Sequence, residues 1–124
     1  MAVFDERSPI YRQIADQIRS DILSGVLRNG EKVMSSNEYA SFYRINPATA
    51  TKAFKTLIDE GVLMKRRGVG MFVAPDARDL LRERHRERFF EEMVDPMVAR
   101  AELLGVPLSQ VIERIRRQTG GGTS

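Results

Sequence analysis

INPATATKAFKTLIDEGVLMKRRGVGMFV, residues 45–73, holds the two elements on which the reading of this chain turns. Asn46 then Pro47 is a helix start: a side-chain oxygen to accept an orphan N–H, followed by a ring whose fixed φ suits the first turn. Ala50, Ala53, Phe54, Leu57 and Ile58 then fall on one helical stripe that ends before Gly61. With that stripe turned inward, Ala48, Thr49, Thr51, Lys52 and Lys55 face out, small or hydrogen-bonding groups first and cations further along. After Gly61, Val62 to Lys65 and Gly70 to Val73 are short β-prone runs separated by Arg66, Arg67, Gly68 and Val69. This predicts a hairpin with a basic tip, closed by Pro75.

Two further helices precede this pair. Ser8-Pro9 reads as a cap and a first-turn proline, and Ile10, Ile14, Ile18 and Ile22 recur every four residues until Gly25. A link through Asn29-Gly30 leads to Ser35, which with Glu38 makes a capping box; Tyr39, Ala40, Phe42 and Tyr43 supply apolar surface for a short second helix. Three helices followed by a two-stranded wing is the order of a winged helix-turn-helix module, whose third helix enters the major groove. Threonine can offer a hydroxyl to base edges and a methyl to thymine, alanine permits close approach, and lysine neutralises backbone charge. The Lys65, Arg66, Arg67 and Gly68 tip can reach phosphate or the minor groove. Taken singly, a polar helix face or a basic turn is ordinary solvated surface. Their succession is what points to nucleic acid.

Beyond Pro75 the pattern changes. Residues 79 to 92 are densely charged and helical in composition, and Phe90, Met93, Val94, Met97, Val98, Ala101 and Leu104 keep helical phase across Asp95-Pro96. Proline there should kink or restart the helix, with Asp95 as cap. Gly105 and Pro107 mark a turn, Leu108, Val111, Ile112 and Ile115 one more short helix, and residues from Gly120 onward a disordered end. A stripe this long on so short a segment calls for a cover, either a second subunit or the first helix. The fold class is therefore mainly α with a small β-wing: a winged helix-turn-helix domain over 8–75, a helical dimerisation tail over 76–118 and a disordered end over 119–124. Phe89, Phe90, Met93, Met97 and Leu104 could instead line an effector cavity at the subunit seam, and nothing in the sequence names its ligand.

Composition narrows the alternatives. The 124 residues allow one main core. The formal net charge of +3 is modest, but residues 41–73 carry six cations against Asp59 and Glu60, whereas residues 76–124 hold nine arginines against nine acids. No apolar run is long enough for a bilayer, and with no leader pattern and no cysteine the expected compartment is the cytoplasm. His85, the single histidine, stands among arginines, so neither a zinc site nor a Ser-His-Asp arrangement can be assembled, and no cofactor is expected. Adjacent carboxylates such as Glu91 and Glu92 do not face each other on a helix. Catalysis is the least supported class. The competing reading is a winged fold that binds protein rather than DNA, which would expose apolar groups where this chain has cations.

The stretches Pro9-Ile10-Tyr11-Arg12-Gln13-Ile14, Ile45-Asn46-Pro47-Ala48-Thr49, Lys52-Ala53-Phe54, Glu60-Gly61-Val62-Leu63 and Arg67-Gly68-Val69-Gly70-Met71-Phe72-Val73 together resemble the DNA-binding domain of GntR-type regulators. The short tail is similar to that of the YtrA branch. The resemblance implies a homodimeric repressor or activator on a palindromic double-stranded operator, with the tail helices pairing two subunits. Its DNA contacts, carried over position by position, fall on Ser35, Asn37, Thr49, Thr51 and Gly68, with Pro47 serving the helix start. The chain departs from the family in having Met34-Ser35-Ser36-Asn37 where Pro-Ser-x-Arg is common, Asn46-Pro47 where Ser-Arg is common, and Thr51 in place of an arginine.

Overall fold

The computed structural model describes residues 8–120. Its element order is α1 (Ile10–Ser24), β1 (Lys32–Val33), α2 (Ser36–Tyr43), α3 (Pro47–Asp59), β2 (Leu63–Arg66), β3 (Gly70–Val73), α4 (Ala77–Phe89), a π-helical turn (Phe90–Val94), α5 (Asp95–Leu104) and α6 (Leu108–Gln118). The described chain divides after Arg84 into two units.

The first unit is organised around α3, whose Ala50, Ala53, Phe54 and Leu57 are buried against Ile14, Ile18 and Ile22 of α1 and Tyr39 and Ala40 of α2. Asn46 caps α3 as expected, its Oδ1 accepting the Ala48 N–H at 2.8 Å. The capping box at α2 is complete: Glu38 N–H donates to Ser35 Oγ at 3.1 Å, and Ser35 N–H to Glu38 Oε1 at 3.0 Å. At α1 the cap position is Pro9, with no side-chain cap, so the helix begins one residue later than the Ser8-Pro9 pattern suggests. A bidentate ion pair joins α1 to the end of α3, with Arg19 Nε donating to Glu60 Oε1 at 2.9 Å and Nη2 to Oε2.

The wing is part of a three-stranded antiparallel sheet of order β1-β3-β2, a strand more than the expected hairpin. Lys32 and Val33 pair with Phe72 and Met71, and Gly30 N–H donates to Val73 O at 3.0 Å, which extends the seam. The unit also takes in the first turns of α4. Ala77 and Leu81 are buried in the core, Asn29 Oδ1 accepts the Arg78 N–H at 3.1 Å, and Arg78 Nε donates to Leu23 O at 3.2 Å. Arg78 thus serves both helix ends: its own orphan N–H at the start of α4 is taken by Asn29, and its side chain satisfies a carbonyl at the end of α1.

In the second unit Asp95 is not a cap. The helix runs through it in αR geometry, and its N–H bonds Phe90 O five residues back, the widened turn of a π-bulge. Pro96 cannot donate and its ring crowds the carbonyl four residues earlier, so the widening sits where a regular turn would be strained. Gly105, at φ 71°, ends α5, and Val106 N–H returns to Ala101 O at 2.8 Å before α6 begins. Of the expected disordered end, residues 121–124 lie outside the described residues.

Candidate nucleic-acid interface

Pro47 begins α3 at its first position, so the Asn46 cap aims the exposed start of the helix and Ala48 outward. Thr51, Lys52 and Lys55 are exposed, while Thr49 is half-buried. Thr51 Oγ1 donates to Ser36 Oγ at 3.4 Å, bridging α3 to the start of α2. Lys55 Nζ lies 3.2 Å from Asp59 Oδ2, an exposed pair one turn apart that contributes about 0.3–0.5 kcal/mol.

Lys52 has an unforeseen partner. Its Nζ sits 4.1 Å from the centroid of the Tyr11 ring at the start of α1, a cation over an aromatic face. Arg12 Nε donates to the Tyr11 hydroxyl at 3.3 Å, and this bond, then the guanidinium charge itself, holds the phenol below its ordinary pKa, with Lys52 adding. Tyr11 and Arg12 were thereby missed as neighbours of the outward face. They are forty-one and forty residues from Lys52, and no local pattern encodes the contact.

On α2, Ser35 spends its side-chain oxygen on the cap and is half-buried, whereas Asn37 is exposed. Arg44 occupies the turn between α2 and α3 at φ 55°, the single described non-glycine residue in the left-handed region. Its N–H donates to Ala40 O as it closes α2, leaving the guanidinium exposed. The basic excess of residues 41–73 had included it without a role.

At the wing, Lys65, Arg66, Arg67 and Gly68 are all exposed. Val69 N–H donates to Arg66 O at 2.9 Å, and Gly68, third in that turn at φ 76°, adopts the sign a type II turn requires there. Open space surrounds a Cβ built on Gly68, so glycine is there for its backbone and not for crowding within the fold. The Arg66 guanidinium rests over the Phe72 ring at 5.2 Å.

In the second unit the apolar stripe divides. Val94, Val98 and Ala101 are half to fully buried, whereas Phe90, Met93, Met97 and Leu104 are exposed, as are Leu108, Ile112 and Ile115 along α6. Residues i, i+4 and i+7 share a helix face, which accounts for the inner trio. His85 is exposed. No described helix is long and apolar enough to cross a membrane.

The family model described as bacterial regulatory proteins, gntR family, matches residues 10–73. The HTH-type transcriptional repressor YtrA of Bacillus subtilis is 33% identical over 118 residues, 94% of this chain and 90% of its own length. A solved GntR family transcriptional regulator from Listeria monocytogenes aligns with a TM-score of 0.72 at 25% identity, over 92% of this chain and 98% of that one. The AraR DNA-binding domain, solved in complex with operator ORR3, aligns with a TM-score of 0.52 at 30% identity, over 57% of this chain and 86% of that one. The family match over residues 10–73 thus falls within the stretch read as a winged helix-turn-helix, 8–75, and YtrA aligns over nearly the whole chain. The chain belongs to the GntR family of bacterial regulatory proteins, and it is a transcriptional regulator of the YtrA type rather than an enzyme.

Proposed function

We propose that the protein is a sequence-specific repressor that binds a palindromic operator as a homodimer. The observation that carries the reading is the outward face of α3, where Ala48 and Thr51 stand exposed near a capped N-terminus and Lys52 and Lys55 follow. Threonine and alanine at the start of a groove-entering helix read bases, and the lysines, with Lys65, Arg66 and Arg67 of the wing, take phosphates. Lys55 is held only by an exposed pair, which phosphate can replace. Ser35, Asn37 and Gly68 complete the contact set, Ser35 through its position at the cap rather than through a free oxygen. The operator complex of the AraR domain and the repressor named YtrA support this direction.

Pairing is assigned to the tail. Phe90, Met93, Met97 and Leu104 are exposed apolar side chains within one short unit, and a second copy is the simplest cover; Val94, Val98 and Ala101 back them from within. A dimer presents two α3 helices to half-sites about one DNA turn apart, hence the expected palindrome. Selection of bound duplexes from a random pool tests this, followed by a salt titration on the selected site. Each phosphate neutralised contributes about 0.9 to the slope of log affinity against log salt, so contacts from two subunits predict a steep fall. A flat response, or a pool without an enriched inverted repeat, contradicts the proposal.

A further inference from the structure

A cavity of about 290 Å³ opens in the first unit between α1, the β1 strand and α2, and none of the threonines or wing cations assigned to DNA lines it. Its lining includes the apolar Phe54 of α3 beside Asp21, Glu31, Tyr39, Tyr43 and a single cation, Lys32. The stem of Lys32 lies along β3, so close that a Cβ on Gly70 would come within 2.8 Å of its Cε.

Two polar groups in this wall are left without a full set of partners. Tyr39 is only 9% exposed, and among the described residues its hydroxyl has no hydrogen bond, yet it is not sealed from solvent and so opens onto the cavity. The Asp21 carboxylate lines the same cavity and, after burial and Tyr43, adds to what holds that phenol protonated. Gln17 Nε2 donates to Asp21 Oδ1 at 3.0 Å, and no described donor reaches Oδ2. A water-accessible hydroxyl and a carboxylate oxygen that line one cavity without bonding each other leave room for a donor between them. Two carboxylates against one lysine set the sign, and Tyr43, against the Tyr39 ring at 4.5 Å between centroids, widens the aromatic wall.

We propose that this cavity is a binding site for a small organic cation, an ammonium carried on an aromatic or aliphatic body, with its N–H groups on Asp21 and Tyr39 and its body against Tyr43 and Phe54. A neutral or anionic molecule of the same shape leaves the carboxylate unpaired and is rejected. An occupant touches both the strand that extends the wing sheet and the first helix of the helix-turn-helix. The site stands on its own walls and does not depend on the DNA reading.

The test is a titration of the isotope-labelled full chain with benzylammonium chloride, followed by amide chemical shifts, beside a titration with sodium benzoate. Benzylammonium should give saturable shifts centred on residues 17–43, with a dissociation constant on the order of 1 mM for so small a ligand. Asp21→Asn should weaken it about tenfold, the loss of one charge-assisted hydrogen bond. Tyr39→Phe, which removes one oxygen and keeps the ring, should weaken it as well. Equal binding of benzoate, no saturable shift, or undiminished affinity in both variants overturns the site.

Discussion

Glu60→Gln removes one charge from the pair that fastens α1 to the end of α3 while keeping the shape of the side chain. The guanidinium of Arg19 makes two hydrogen bonds to the carboxylate, and the side chains are 19% and 29% exposed. Fully exposed pairs contribute about 0–1 kcal/mol, whereas removing one partner of a buried pair costs about 3–5 kcal/mol. This pair lies between those limits. Asp16, 2.7 Å from Arg19 Nη1, keeps the guanidinium partly compensated when Glu60 is lost, which places the cost near the lower limit, at about 1–2 kcal/mol. Asp16→Asn should cost under about 0.5 kcal/mol, because that carboxylate is 75% exposed. Urea unfolding of the two variants, of Arg19→Met and of Arg19→Met with Glu60→Gln gives a cycle in which coupling of about 1 kcal/mol is expected. A coupling near zero, or equal losses for Glu60→Gln and Asp16→Asn, would show that the clamp does not hold α3 in place.

Two more outcomes follow from groups already described. Burial, then Tyr43 and Asp21, pushes the Tyr39 phenol up to about 12 from its ordinary value near 10. The unfolded chain therefore loses this proton first: the contribution to stability is intact below about pH 10 and is lost as pH climbs toward 12. Tyr39→Phe should lose less stability than the parent between pH 10 and pH 12 in urea unfolding, and equal losses would contradict the assigned burial. In the tail, Met97→Glu should give monomers in analytical ultracentrifugation and weaken operator binding without touching a DNA-facing residue; a persisting dimer with full affinity would move the pairing surface elsewhere.

The parts of this fold that were legible are those written in short spans of chain. Asn46-Pro47 with its apolar stripe, and the Ser35 and Glu38 box, are local physics, and they located α3 and α2. The wing followed from β-prone runs around Arg67-Gly68. What stayed hidden depends on distant residues. Strand β1 has two residues, too few for any period, and exists because β3 offers it a partner. The docking of α4 rests on Ala77 and Leu81, two apolar side chains in a segment whose charge reads as solvated surface. The clamp from Arg19 to Glu60, the cation over Tyr11 and the Tyr39 cavity join residues that only folding brings together. At Asp95 the local signal was present but misread, since a widened helical turn accommodates proline as well as a break does.

The central claim is that α3 reads sequence while the wing supplies affinity, and one comparison of affinities tests it most directly. Thr51→Ala and Arg67→Ala would each be measured on the selected operator and on single-mismatch sites at fixed salt. The account predicts that Thr51→Ala flattens the preference at one or two base positions, a loss of about 1–3 kcal/mol of discrimination, while Arg67→Ala weakens every site alike. Uniform loss for the threonine variant, together with unchanged binding for the arginine variant, would contradict it.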